Sequence, residues 1–232
     1  MSCLLHNHLG SAHRHFHAPA GPAKRESRIE LDKEWKKDVY TFTEQNLEHS
    51  AWGLAHAERD YLLAKDLAKH SDLKVDDDVL FAAAFLHDMG GFEPFKKDGV
   101  DHADRSAEVC SLILEPTDFP KEKLGAVKKA IETHSYYTSK EPMTDEAKVL
   151  HDADSLDFLG AIGVARILSI TGQEPFTPNI AASLKLIESL AQSVPGTIKS
   201  GQYAEEMAAE RLHETETFVA QLKNESFGGE HL

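Results

Sequence analysis

Ala82-Ala83-Ala84-Phe85-Leu86-His87-Asp88-Met89-Gly90-Gly91 is the stretch on which the reading of this chain turns. It completes an apolar run that begins at Val79 and ends in adjacent His87 and Asp88, after which Gly90 and Gly91 stop the helix. A helix that is apolar on every side is buried on most of them. An unpartnered carboxylate at its inner end would cost roughly several kcal/mol, comparable with the whole stability margin of a domain. Something must compensate that charge, and a cation is the leading candidate. The competing explanation is a His-Asp pair at an exposed helix terminus, and the rest of the chain decides between them.

Upstream, Leu31, Trp35, Val39 and Phe42 form one stripe of a helix that starts at Arg28 and fades near Asn46. A second helix is expected from Ser50 to Lys69, with a buried stripe through Trp52, His56, Leu63 and Leu67, and with Arg59 one turn after His56. The quoted stretch closes a third, Asp77 to Met89, followed by a polar loop to Asp101 that carries Glu93, Lys96, Lys97 and Asp98. A fourth starts near His102, shares one face among Ser106, Val109 and Ile113, and stops before Pro116. The fifth begins at Pro120, and its stripe of Leu124, Val127 and Ile131 continues onto His134. A sixth runs from about Asp145 past Asp154, which shares a stripe with Phe158, Ala161, Ile162 and Ala165; Gly160 and Gly163 punctuate it as close-packing positions. Two amphipathic helices follow, Pro178 to Gln192 and Tyr203 to Lys223, separated by a Pro195-Gly196 turn. With no alternating strand and no repeat, the chain reads as all-α, a bundle of about eight helices. The expected organisation is a single domain over 29–225, a flexible C-terminus over 226–232, and a disordered tail over 1–28 containing His6, His8, His13, His15 and His17.

The 232 residues are 41% hydrophobic, enough for a substantial core, and 25 basic against 39 acidic residues leave a net charge of -14. That balance argues against a nucleic acid polymer or an anionic membrane as partner, whereas a small phosphorylated molecule stays compatible because a local cation reverses the field inside a pocket. No apolar run approaches ~20 residues and no signal peptide is evident, so a cytoplasmic protein is expected, of open oligomeric state. The two cysteines, Cys3 and Cys110, support neither a disulfide framework nor a thiolate zinc site. Any chemistry must come from histidines and carboxylates.

His56, His87, Asp88, His102, His134 and Asp154 each interrupt or end an apolar stripe, and they come from five helices. A single histidine on such a face is usually a core residue bonded to a backbone carbonyl. Six together would each need a separate polar partner, whereas a metal site partners all of them. Asp152 differs, since about 200° of helix separates it from Asp154. Mixed imidazole and carboxylate donors suit Fe, Mn, Zn, Co or Ni better than Ca.

The order His56, His87-Asp88, Asp154 resembles the H, HD, D signature of the HD-domain metal-dependent phosphohydrolase superfamily. His56-Ala-Glu-Arg59, Phe85-Leu-His-Asp88, the His134 turn and the run from Asp152 to Arg166 resemble its small stand-alone members, with the likeness extending from about Asn46 to Glu225. The resemblance implies an HD-domain helical bundle with His56, His87, Asp88 and Asp154 as core ligands of a divalent metal. His102 and His134 fall in the order of ligands to a second metal, where Mg would also be compatible. It further implies hydrolysis of a small phosphomonoester or phosphodiester, such as a nucleotide, by a metal-activated water. Asp88 would act through the metal, and Arg59 or Arg105 would offset charge on the phosphate oxygens. Glu93, Asp98, Asp101 or Asp157 would be the general acid, Asp157 being placed first as a support for a metal ligand. The chain departs from these members at Asp60, where an apolar residue is frequent, at Ser155, where a basic one is common, and at the added His151. Two other activities fit the same ligands: a dinuclear iron oxygenase cleaving a C-C or C-P bond, and a metal- or ligand-binding module without turnover.

Overall fold

Eight consecutive apolar side chains leave α3 (Asp77–Leu86) no stable place except the centre, and Val79 through Leu86 are all buried. The computed structural model describes residues 28–232, so the His-rich stretch of the tail lies outside the described residues. Asp76 caps α3, its carboxylate accepting the backbone N–H of Asp78 and Val79. Around this core helix pack α1 (Glu34–Asn46), α2 (Leu54–His70), α5 (Leu124–Glu132) and α6 (Asp145–Leu156). Trp35 of α1 meets Phe81 and Phe119 edge to face, with ring centroids 5.6 and 4.9 Å apart.

The chain leaves α3 through His87, which keeps right-handed dihedrals, and then tightens into a 3-10 turn over Met89–Gly91. α4 (His102–Leu114) lies directly on that turn. Gly90 is required there, because a Cβ would stand 2.4 Å from the backbone nitrogen of Ser106, and the Gly90 N–H donates to Ser106 Oγ at 2.8 Å. α7 (Gly160–Ser169), α8 (Ile180–Ser193) and α9 (Gln202–Glu225) form a C-terminal layer on α6 and α2.

The all-α expectation holds, with nine α-helices and no strand among the described residues. The additional helix arises because the expected sixth helix is two. It breaks between Leu156 and Gly160, where Leu159 is extended and Gly160 takes φ +71°. Gly163 packs against that break rather than against a distant neighbour, since a Cβ there would stand 2.2 Å from the Phe158 carbonyl. Two starts also move inward. Residues 28–33 precede α1 without helical structure, and Trp52 belongs to the turn before α2 rather than to its buried stripe. Beyond α9, Gly228 and His231 N–H groups donate to the carbonyls of Lys223 and Ser226. No helix among the described residues is long and apolar enough to cross a membrane.

Candidate metal centre

The end of α3 meets α2 and α6 where their polar residues interrupt the apolar faces. His56 Nε2 lies 3.2 Å from His87 Nε2, 3.4 Å from Asp154 Oδ1 and 3.6 Å from Asp88 Oδ2. Asp88 Oδ2 is also 3.3 Å from His87 Nε2, whereas Oδ1 faces His102 Nε2 at 3.5 Å and His134 Nε2 at 3.7 Å. The two further rings are 3.1 Å apart at their Nε2 atoms. All six residues expected from the sequence are thus gathered in one place, and Asp88 stands between two histidine pairs with one oxygen toward each.

The histidines are oriented from behind. His56 Nδ1–H donates to Asp157 Oδ2 at 2.8 Å, His87 Nδ1–H to the Ala84 carbonyl at 2.8 Å, and His134 Nδ1–H to the Ile131 carbonyl at 2.6 Å. Those acceptors fix the Nδ1–H tautomer of each neutral ring and turn its Nε2 lone pair inward, which is the arrangement of metal-ligating histidines. Asp157 is itself held by Arg59, whose Nε and Nη2 donate at 2.9 and 2.8 Å, and by an ion pair with Arg166 at 2.9 Å. The break after α6 is what allows Arg166 on α7 to return to Asp157.

The charges reveal a demand for a cation. Burial alone would lower the pKa of His87, yet Asp88, Asp60 and Asp154 outweigh it and push it up to about 10. Burial pushes Asp88 up, but His87, His134 and His56 hold it well below the usual carboxylate range. Asp88 Oδ2 and both oxygens of Asp60 are buried without a hydrogen-bond partner among the described residues. Orphaned buried oxygens are rare and costly. His56, Asp60, His87 and Asp154 can offer donor atoms within 4.8 Å of one another, as can His87, Asp88 and His134. These residues fit a metal ion in donor type and in number, and the two donor groups overlap at His87.

Several expected roles change. Arg59 and Arg105 do not line the cavity beside the centre. Arg59 is committed to Asp157, and Arg105 donates to the Phe95 carbonyl at 2.7 Å and pairs with Glu108 at 2.8 Å. Asp157 is unsuited to be a general acid: burial pushes it up, but His56, Arg166 and Arg59 hold it far below the ordinary range. Of the carboxylates between α3 and α4, Asp101 caps α4 through the Ala103 N–H and Asp98 does not line the cavity, whereas the exposed Glu93 does. Asp152 points away from the centre, accepting the N–H groups of Lys199 and Ser200, the Ser200 hydroxyl and His151 Nδ1–H. Ser155 is buried and is not among the residues that line the cavity.

The cavity has a volume of about 630 Å³ and opens onto Asp88, His102, His134 and Asp154. Trp52, Phe92, Tyr136, Phe158 and Phe176 supply aromatic walls, and Lys96 is the one lysine or arginine among its described lining residues. His49 Nε2 stands 3.4 Å from Glu174 at the same cavity, and Tyr137 is hydrogen-bonded to His102 Nδ1 at 2.9 Å. Sequence reasoning passed over His49, Phe176 and Tyr137. They lie in turns and loops without periodicity, which gives a sequence reading nothing to single them out.

A helical core closed by His87-Asp88, with His56 before and Asp154 after it, is the arrangement expected from the resemblance to HD domains. Residues 53–159 match the HD domain family model. Among solved structures it is similar to an HD-superfamily hydrolase from Bacillus thuringiensis (26% identity, TM-score 0.58, covering 82% of this chain and 95% of that one). It also shares its fold with Bacillus subtilis YpgQ in complex with ADP (21%, 0.62, 84% and 100%) and with a protein from Lactobacillus plantarum (23%, 0.63, 84% and 98%). Comparison with curated proteins gives no match.

Proposed function

We propose that this chain is a metal-dependent phosphohydrolase acting on a small phosphorylated molecule, with a nucleotide as the favoured class. The observation that carries the proposal is the opening of the histidine-carboxylate centre into an aromatic-walled cavity that contains one lysine. Aromatic faces suit a planar base, and the lysine suits a phosphate. The structural neighbour that holds ADP supports the same class. A divalent cation held by His56, His87, Asp88 and Asp154, with His102 and His134 for a second, supplies Lewis acidity to water and phosphoryl oxygens. The chain's own residues do the rest. Lys96 neutralises phosphate charge, Asp157 keeps the His56 ring in place, and Glu93 at the cavity can protonate the leaving oxygen.

The test uses the full chain with His6, His8, His13, His15 and His17 replaced by Gln, so that metal counts report the centre alone. Metal-replete protein is expected to hydrolyse an aryl phosphate or a member of a panel of nucleoside mono-, di- and triphosphates. Stoichiometric metal without hydrolysis of any of these would overturn the proposal. A dinuclear iron oxygenase is the second reading, favoured by the placement of Asp88 with one oxygen toward each histidine pair. Two irons per chain and oxygen uptake with a diol or aminophosphonate would replace the first reading by the second.

A further inference from the structure

Two aspartates in this bundle are sealed completely from solvent with opposite consequences. Asp152 receives donors from Lys199, Ser200 and His151, as a buried structural carboxylate should. Asp60 receives none: both of its oxygens are buried and unpartnered among the described residues. No capping or bracing role explains it, because it sits in the interior of α2 and touches no backbone donor.

What Asp60 does face is the metal centre. It follows His56 by one turn of α2, and its Oδ2 stands 3.2 Å from His56 Nε2 and 3.6 Å from His87 Nε2. With the Nδ1–H of each ring given to Asp157 or to the Ala84 carbonyl, it is the Nε2 edge of both rings that faces Asp60. Asp157 and Asp154 repel it while His56 and His87 attract it, and no hydrogen-bond donor among the described residues satisfies either oxygen. An orphaned carboxylate converging on the same point as two imidazole lone pairs and Asp154 is the arrangement of a ligand set.

We infer that Asp60 is a fifth protein ligand of the first metal, an inference that rests on the metal-centre reading above. The set around that ion then holds two neutral imidazoles and the three carboxylates Asp60, Asp88 and Asp154. A third anionic oxygen shifts preference toward oxygen-seeking cations, Mn²⁺ above Zn²⁺.

The test is a calorimetric titration of the full chain bearing the five tail substitutions with MnCl₂ and with ZnCl₂, with thermal melting of the metal-free and Mn²⁺-loaded forms. The wild-type centre is compared with Asp60→Asn and Asp60→Val. Both variants are expected to bind Mn²⁺ at the first site at least about tenfold more weakly, with a smaller loss for Zn²⁺. Metal-free Asp60→Val should melt higher than the wild type, because the unpartnered buried carboxylate is gone, and its Mn²⁺-induced gain should shrink. Unchanged Mn²⁺ affinity in a folded variant overturns the inference and leaves the metal centre standing; the isosteric Asn keeps this outcome readable if Val misfolds. A wild-type centre that takes up neither metal removes the metal-centre reading itself.

Discussion

Asp157 illustrates how much of this site is built behind its ligands. It accepts His56 Nδ1–H while Arg59 and Arg166 hold it, so Asp157→Asn keeps the shape and loses the charge that fixes the ring. Metal affinity should fall about 10–100-fold, measured by titration, with the fold intact by circular dichroism. His102→Ala should lower the metal count from two to one, because only the His102–His134 side of Asp88 is touched; an unchanged count in metal analysis would deny the second site. Lys96→Ala should raise KM for a nucleotide more than it lowers kcat. At this scale the legible residues were those that violate an apolar stripe. His56, His87, His134 and Asp154 stood out because burial of a polar group demands a reason. Lys96 and Phe176 did not, because a loop side chain carries no period and its cavity exists only after α7 and α8 close over it.

The paired helices α6 and α7 show where periodicity misleads. Asp154, Phe158, Ala161 and Ala165 keep helical spacing in the sequence, so the stripe reads as continuous, yet beyond the break Ala161 and Ala165 are exposed and Gly163, Val164 and Ile167 take the buried face; the positive φ of Gly160 leaves no periodic trace. Gly160→Ala should destabilise the protein by about 1–2 kcal/mol for the left-handed backbone alone, and further because its Cβ meets Glu214 and Arg211. Gly163→Ala should cost more, since the added carbon meets the rigid Phe158 backbone. Urea midpoints of the two variants check both the direction and the order. The start of α3 offers a test in acid. Burial pushes Asp78 up, but hydrogen bonds from Lys123 and Lys33 outweigh it and hold it below its ordinary value. A depressed folded-state pKa contributes stability above the unfolded value, about 3.9, that is lost as pH falls through the folded one. The stability gap between wild type and Asp78→Asn should therefore be full at pH 6 and narrow below about pH 4, as followed by thermal melts.

For the whole molecule, helix α6 joins two regions that the sequence already set about 200° apart. Asp154 on one side enters the metal centre, and Asp152 on the other grips the backbone at Lys199 and Ser200 ahead of α9. The layer tied down by that grip supplies Ile167, Leu186 and Leu190 to the cavity wall. One rigid rod therefore bears both the carboxylate that would bind the ion and the footing of the wall that would hold a substrate. Occupancy of either place should be felt at the other as a thermodynamic linkage: Mn²⁺ and ADP should each tighten the binding of the other by one common factor. Releasing the footing with Asp152→Ala should bring that factor toward unity while Asp154 keeps its place at the ion.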